Sequence, residues 1–161
     1  MSKKPLQFNL NGDSKAVFVE DGQNLLDVLR RDVGDLSPKY GCGQGTCGAC
    51  TVLIDGEPHL SCLTLAETVE GRSISSTGGM AEGGQLHPLQ DAFMRHFAAQ
   101  CGFCSCGMLM AAKALLDRNP NPSREDVVEA ISGNICRCTG YEPIIEAILD
   151  AAQSGAGRRS A

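Results

Sequence analysis

The cysteines constrain this chain more than any other feature of its sequence. The 161 residues include 9 cysteines, and eight of these fall into two sets of four. The first set has the form C-x4-C-x2-C with a fourth cysteine shortly after, and consists of Cys42, Cys47, Cys50 and Cys62. The second set is made of two close pairs and consists of Cys101, Cys104, Cys136 and Cys138. Because metal ligation can organise a small core, the two sets predict two metal-binding domains.

The spacing of the first set indicates which metal it takes. C-x4-C-x2-C followed by a further cysteine is typical of a plant-type [2Fe-2S] site, in which thiolates hold two irons. Four glycines lie among these cysteines, namely Gly41, Gly43, Gly45 and Gly48. Such a backbone can wrap closely around a ligand and direct N–H groups at the sulfurs of an anionic cluster. Electron transfer is therefore the first functional hypothesis.

Other uses of the thiols fit the spacing less well. Two structural zinc sites would also need eight thiolates, but zinc sites usually pair short C-x2-4-C elements, unlike the first set or the Cys136–Cys138 pair. A disulfide framework is disfavoured because no apolar signal-peptide region precedes the chain's first strand. The histidines do not lie beside cysteines as a Rieske site requires, so we predict surface or packing roles for His59, His87 and His96.

Charge and motifs exclude several classes of function. The formal net charge is -5 at pH 7, so there is no basic field for nucleic acid. We expect no membrane span, because no apolar run is long enough, and a cytoplasmic location unless a partner's signal exports the complex. No nucleophile with an adjacent base, no carboxylate pair and no dinucleotide fingerprint occurs, so we expect no substrate-turnover site on this chain.

Hydrophobic periodicity predicts an α+β fold whose first domain, residues 1–77, is rich in strands. Residues 6–10 alternate in polarity, Asn11-Gly12 is a hairpin signal, and residues 16–19 form the returning strand. A helix is predicted over residues 25–29, with Asp21 or Asn24 as its cap, followed by strands at 51–54 and from the Asp55-Gly56 turn to Cys62.

The second half changes to helical periodicity after a linker at residues 78–87. The helical domain is predicted over residues 88–161, ending in a short disordered C-terminal tail. Its helices are expected at 88–100, 108–116, from Ser123 onward with Asp126 completing a capping box, and at 144–152. The second cysteine set lies at the two junctions of this bundle, so one end of the bundle can bring four thiols together.

Three strings of the sequence closely resemble the iron–sulfur subunit of the xanthine oxidase family of molybdenum hydroxylases. They are residues 41–52 (GCGQGTCGACTV), 100–104 (QCGFC) and 133–141 (GNICRCTGY). The resemblance covers nearly the whole chain. It implies a ferredoxin-like β-grasp domain holding one [2Fe-2S] cluster and a four-helix domain holding another, in an oxidoreductase subunit that does not itself turn over substrate.

The same resemblance implies partners and a direction of electron flow. The partners would be a large molybdopterin-binding subunit, with the cytosine dinucleotide form of that cofactor, and a medium FAD-binding subunit or another acceptor, in a heterotrimer or its dimer. Electrons would pass from molybdenum to the second cysteine set, then to the first set and then to flavin. Gln100 and Cys138 match family residues that contact the molybdopterin. The alternative for Gln100 is that it caps a helix C-terminus.

Cys106 and the assembly state each allow more than one interpretation. The family pattern has a proline where this chain has Cys106, which we expect to pack at the start of a helix, although a ligand or a redox-sensitive thiol is the alternative. The rival function is a free-standing two-cluster ferredoxin that shuttles electrons between partners. A helical domain that presents Gln100 to a cofactor favours the subunit over the free ferredoxin.

Overall fold

A five-stranded mixed sheet forms the N-terminal half of the molecule. The computed structural model describes residues 3–155, and its strands are β1 Lys3–Leu10, β2 Asp13–Glu20, β3 Thr51–Ile54, β4 Glu57–Leu60 and β5 Ser73–Ser75. Their order is β2-β1-β5-β3-β4, with β1 parallel to β5 and the other neighbours antiparallel. Asn11 and Gly12 both have positive φ, 54° and 90°, which is the geometry of a type I′ hairpin turn. The predicted opening hairpin is confirmed.

One helical segment packs across this sheet. It begins as α1, Leu25–Asp27, and continues as a π-helix over Val28–Val33. Asn24 is the cap, since its side-chain oxygen accepts from the Asp27 N–H at 2.8 Å, and Asp21 is not. Leu25, Val28 and Leu29 of this segment share a core with the inward side chains of β1, β3 and β5. A sheet of this order grasping one helix confirms the predicted β-grasp domain.

The C-terminal half contains four α-helices among the described residues. They are α2 Pro88–Arg95, α3 Ser105–Arg118, α4 Arg124–Ile131 and α5 Glu142–Gln153. The capping box of Ser123 with Asp126 is present. Within residues 3–155, no helix has the length and apolar character needed to cross a membrane.

Several helix boundaries differ from the sequence prediction, and the end of the first C-terminal helix differs most. The first helix ends at Arg95 and does not reach Gln100, because Phe97 adopts a left-handed φ of 53°. The Phe97 N–H bonds to the Met94 carbonyl and the Ala98 N–H to the Phe93 carbonyl, which is a Schellman ending. Glycine usually occupies that left-handed position, so the sequence contained no stop signal there. The second helix begins at Ser105, three residues before the predicted Met108.

The two halves pack directly against each other. Leu53 of β3 and Met80 of the predicted linker belong to the same hydrophobic cluster as the buried side chains of the four C-terminal helices. Arg118 at the end of α3 also pairs with Glu57 of β4 at 3.3 Å. The division into residues 1–77, 78–87 and 88–161 stays a prediction. Most of the predicted C-terminal tail, residues 156–161, lies outside the described residues.

Candidate metal centres

The first cysteine set is carried by an irregular loop and the edge of the sheet. Cys42, Cys47 and Cys50 lie between the π-helix and β3, and Cys62 follows β4. The Cys42 sulfur accepts from the N–H groups of Gln44 at 3.4 Å and Thr46 at 3.3 Å. At Gly41 a Cβ would lie 2.8 Å from the Cys47 sulfur, so a larger residue there would push against a thiol. The loop thus brings backbone close to sulfur, as the glycines predict.

The four thiols of this set differ in their environment. Cys50 and Cys62 are buried and pack with Leu26 of α1, whereas Cys42 and Cys47 are partly exposed. Hydrogen bonds from the Thr46 side chain and the Gln44 and Thr46 N–H groups lower the pKa of Cys42 to about 5. Burial, together with the neighbouring Cys50, raises the pKa of Cys62 to about 11. The set therefore combines a thiol that ionises readily, Cys42, with a thiol that keeps its proton until a metal replaces it, Cys62.

The second cysteine set is carried by helix ends. Cys104 is the residue before α3, and Cys136 and Cys138 lie between α4 and α5. The Cys138 and Cys101 sulfurs are 3.7 Å apart and exposed, while Cys104 and Cys136 are buried and lie beside each other. Both predicted helix junctions therefore meet at one place.

The buried pair of this set shows the same contrast in acidity. Burial, followed by the hydrogen bond and charge of Cys136, raises the pKa of Cys104 to about 12. Burial opposes ionisation of Cys136 as well, but hydrogen bonds from the side chain and backbone of Thr139 leave its pKa below the ordinary value. In the exposed pair, the hydrogen bond with Cys101 raises the pKa of Cys138.

In both sets the thiols meet as pairs. The pairs are Cys42 with Cys47, Cys50 with Cys62, Cys101 with Cys138, and Cys104 with Cys136. In the part of the chain that the structure describes, no three Cys, His, Asp or Glu side chains converge on one ion position. A [2Fe-2S] cluster takes two thiolates at each iron, so paired thiols fit this group.

One cavity connects the two sets. It has a volume of about 180 Å³ and is lined by all four thiols of the second set together with Cys47 of the first. The remaining lining is mostly apolar and consists of Gly41, Ala49, Phe103, Ile135 and Arg137. The two candidate centres are therefore neighbours across the domain boundary.

Several residues that support the thiols were not predicted from the sequence. Thr46 and Thr139 hydrogen-bond to Cys42 and Cys136, and the Tyr141 hydroxyl accepts from the Cys136 N–H at 3.0 Å. Asn134 is buried and donates its side-chain N–H to the Gly48 carbonyl at 3.0 Å. Their position in the sequence could have indicated this role, because all of these residues lie close to the cysteines of the two sets.

Gln100 lies at the surface beside the exposed pair of thiols. It is exposed and directly precedes Cys101. The alternative role for Gln100, as the cap of a helix C-terminus, is wrong, because α2 ends at Arg95 and His96 is its C-cap. Its contact with a molybdopterin stays a prediction.

Cys106 is buried, as the packing prediction requires. Its side chain is 7% exposed, and its thiol donates to the Ala49 carbonyl at 3.1 Å and the Phe103 carbonyl at 3.4 Å. Burial raises the pKa of this thiol. Cys106 thus packs at the start of α3 with its sulfur directed at the first loop.

The histidines take surface or packing roles, as predicted. His87 caps α2 by accepting the Leu89 N–H at its Nδ1 atom, 3.2 Å away. His96 pairs with Asp150 at 2.8 Å, and His59 is exposed on β4. These contacts attach two of the histidines to helix ends and leave both thiol sets to cysteine alone.

Two family models cover most of the chain. The model described as a 2Fe-2S iron-sulfur cluster binding domain matches residues 8–76, and the model described as a [2Fe-2S] binding domain matches residues 68–149. The chain is 51% identical to the nicotine 6-hydroxylase small subunit of Paenarthrobacter nicotinovorans, over 91% of this chain and 88% of that one. It is 45% identical to the nicotinate dehydrogenase small FeS subunit of Eubacterium barkeri, over 92% and 94%.

A solved structure agrees closely with this chain in fold. Quinoline 2-oxidoreductase from Pseudomonas putida 86 contains a chain that is 49% identical, with a TM-score of 0.95 and 99% of each chain covered. Matches of this extent in sequence and fold agree with the thiol geometry and do not favour a free-standing ferredoxin. The chain therefore belongs to the iron–sulfur subunits of the xanthine oxidase family of molybdenum hydroxylases, and serves as the electron-transfer subunit of an oxidoreductase complex.

Proposed function

We propose that each cysteine set holds one [2Fe-2S] cluster and that the second set receives electrons from a partner subunit and passes them to the first. The cavity shared by the second set and Cys47 carries this proposal, because it makes the two centres neighbours. When bound, such a cluster accepts and releases one electron at a time. The role of the protein is to hold the thiolates, exclude water from the inner pairs and keep the centres adjacent.

The exposed pair of the second set is the proposed entrance. Cys101 and Cys138 are exposed, and Phe103 and Ile135, which line the same cavity, are 46% and 54% exposed. Apolar side chains around a cofactor edge are the signature of a surface that a partner covers. We assign that partner as the large subunit with molybdopterin, in its cytosine dinucleotide form. Gln100 can donate and accept hydrogen bonds at a pterin edge without adding charge.

The outer edge of the first set is the proposed exit. Leu63 and Tyr40 are exposed there, and both lie close to loop glycines, Leu63 against Gly45 and Tyr40 against Gly43. These side chains flank the loop of the partly exposed Cys42 and offer a second apolar docking edge. We assign it to a medium FAD subunit, which gives a heterotrimer or its dimer. Cysteines without a disulfide framework favour assembly in the cytoplasm.

Metal analysis tests the proposed clusters. The purified chain should be brown and contain about four irons, two for each site. A colourless protein with zinc in place of iron would overturn the cluster assignment.

Purification of the native protein tests the proposed assembly. The chain should co-elute with a larger molybdenum-containing subunit and with flavin. A chain that elutes alone, loaded with iron but without molybdenum, would favour the free-standing ferredoxin.

The relatives' names suggest a substrate class for the partner. They include a nicotine 6-hydroxylase, a nicotinate dehydrogenase and a quinoline 2-oxidoreductase, which share nitrogen-containing aromatic rings. We propose a small N-heteroaromatic compound as the substrate of the complex. Reduction of the iron–sulfur absorbance by nicotine, nicotinate or quinoline, compared with an aldehyde, is the measurement. Bleaching by the aldehyde alone would contradict the proposal.

A further inference from the structure

The turn from Cys47 to Cys50 is held through all four of its carbonyl groups. The Cys47 carbonyl accepts from the Ile135 N–H at 2.9 Å, and the Cys50 carbonyl from the Ser61 hydroxyl at 2.7 Å. The Gly48 and Ala49 carbonyls, which lie between these two in the chain, each accept from more than one donor. Such complete satisfaction fixes the turn that carries two of the four thiols of the first set.

Three of these four carbonyls accept from the helical half. Besides Ile135 at the Cys47 carbonyl, the buried Asn134 side chain donates to the Gly48 carbonyl at 3.0 Å. The Cys106 thiol donates to the Ala49 carbonyl at 3.1 Å. The other donors are local: the Thr51 N–H and hydroxyl at Gly48, and the Lys39 N–H at Ala49. The helical half therefore donates hydrogen bonds to consecutive peptides of a loop that belongs to the other domain.

The packing around these donors leaves no room for an added side-chain atom at Gly48 or Gly107. A Cβ at Gly48 would lie 2.5 Å from the Asn134 side-chain nitrogen, and a Cβ at Gly107 of α3 would overlap the Gly48 carbonyl. Gly48 also has a φ of 70°, a left-handed conformation that glycine tolerates without strain. A close approach of the two halves is thus centred on the peptide between two thiols of the first set.

We infer that Asn134 and Cys106, although they belong to the helical half, are positioning residues for the first metal centre. This inference rests on the proposed function, because it needs a cluster at Cys42, Cys47, Cys50 and Cys62. Donors at the Gly48 and Ala49 carbonyls offset the negative ends of two peptide dipoles beside an anionic cluster. They favour the reduced, more negative state of that cluster and keep its two thiolates in place.

The test uses the full chain loaded with iron and sulfide, with EPR and redox titration of each cluster. Asn134→Ala should shift the midpoint potential of the first cluster to a more negative value and leave that of the second unchanged. Iron should also leave the first site about three- to tenfold faster in the presence of o-phenanthroline, the scale of one lost hydrogen bond. Cys106→Ala should act in the same direction while retaining about four irons on purification.

Two controls separate positioning from general damage. Cys106→Ser keeps an O–H that can donate to the Ala49 carbonyl, so it should restore the behaviour of the unsubstituted chain. Glu57→Gln removes the charge of another contact between the halves, the ion pair with Arg118, but touches no carbonyl of the turn and should change neither cluster. If Asn134→Ala does not fold, the Cys106→Ala and Cys106→Ser pair decides alone.

The outcomes are distinguishable. Equal changes at both clusters, or no change at the first in a well-folded Cys106→Ala chain, would overturn the inference and leave the proposed function intact. Failure of the unsubstituted chain to take up iron at both sites would instead overturn the proposed function.

Discussion

The two thiol sets are built by opposite means. The first lies on an irregular loop in which glycines take left-handed conformations, and its turn is fixed from outside by donors of the helical half. The second lies at the ends of regular helices, with Cys104 just before α3 and Tyr141, which bonds the Cys136 N–H, just before α5. A loop site depends on its neighbours for shape, whereas a helix-end site receives much of its shape from its own elements. A substitution in the helical half should therefore affect the first thiol set more than a substitution in the loop affects the second set.

Loss of an inner thiolate is the strongest test of that asymmetry. Cys50→Ser should remove about two of four irons and leave the second cluster intact. Cys104→Ser should remove the second cluster and also weaken the first, because the buried core that orients Asn134 and Cys106 is then perturbed. Iron content and cluster-specific EPR are the measurements. Equal and separate losses in the two variants would show that the sites are independent.

Gly107→Ala should be the next largest effect. A Cβ at Gly107 would overlap the Gly48 carbonyl, so α3 and the first loop must move apart. We expect a loss of about 1–3 kcal/mol in the free energy of unfolding, the usual range for overpacking, despite alanine's better helix propensity. The first cluster should lose iron before the second.

Gly133→Ala is the matched control for this substitution. It introduces the same methyl group next to Asn134, but nothing lies within 4 Å of that position. Its unfolding free energy should change by no more than about 0.5 kcal/mol. The free energy of unfolding of both variants is measured by chemical denaturation. Equal destabilisation would contradict the role given to the close approach at Gly48.

The regular elements of both regions were easier to predict from the sequence than the residues that hold the thiols in place. The hairpin at Asn11-Gly12 and the capping box at Ser123 were predictable, since local residues determine each of them. The end of α2 was not, because Phe97 occupies a left-handed position that glycine usually takes. The role of Asn134 was also hidden, since its partner Gly48 is 86 residues away in the chain. The gathering of four thiols at one end of the bundle could be anticipated from spacing, but the pairing of Cys101 with Cys138 and the contacts across the domain boundary depend on tertiary packing.

Substitution of the apolar edge sharpens the comparison of the two exposed surfaces. Phe103→Ala removes a half-exposed aromatic side chain from the cavity edge of the second set. We expect the dissociation constant for the molybdenum subunit to rise about ten- to a hundredfold, as for a central aromatic contact at an interface. Phe18→Ala is the control, because Phe18 is 65% exposed on β2, at the sheet edge opposite β4, away from the second set. Similar losses for both variants in a binding titration would argue against a defined docking edge.

The smallest expected effects come from the hydroxyl groups beside the sulfurs, and they return to the difference between loop and helix ends. Thr46→Val removes a hydrogen bond to Cys42, and Thr139→Val removes the hydroxyl 3.1 Å from the Cys136 sulfur. An added electron makes the sulfurs more negative, so loss of a donor should lower the midpoint potential of the corresponding cluster, by on the order of 40 mV for about 1 kcal/mol. Water can replace the lost donor at partly exposed Cys42 but not at buried Cys136, so Thr139→Val should have the larger effect. Its hydroxyl also accepts from the Tyr141 N–H at 3.2 Å, which valine leaves unsatisfied. Redox titration of each cluster is the measurement, and a larger shift for Thr46→Val would mean that the loop, not the helix ends, shields its cluster better from water.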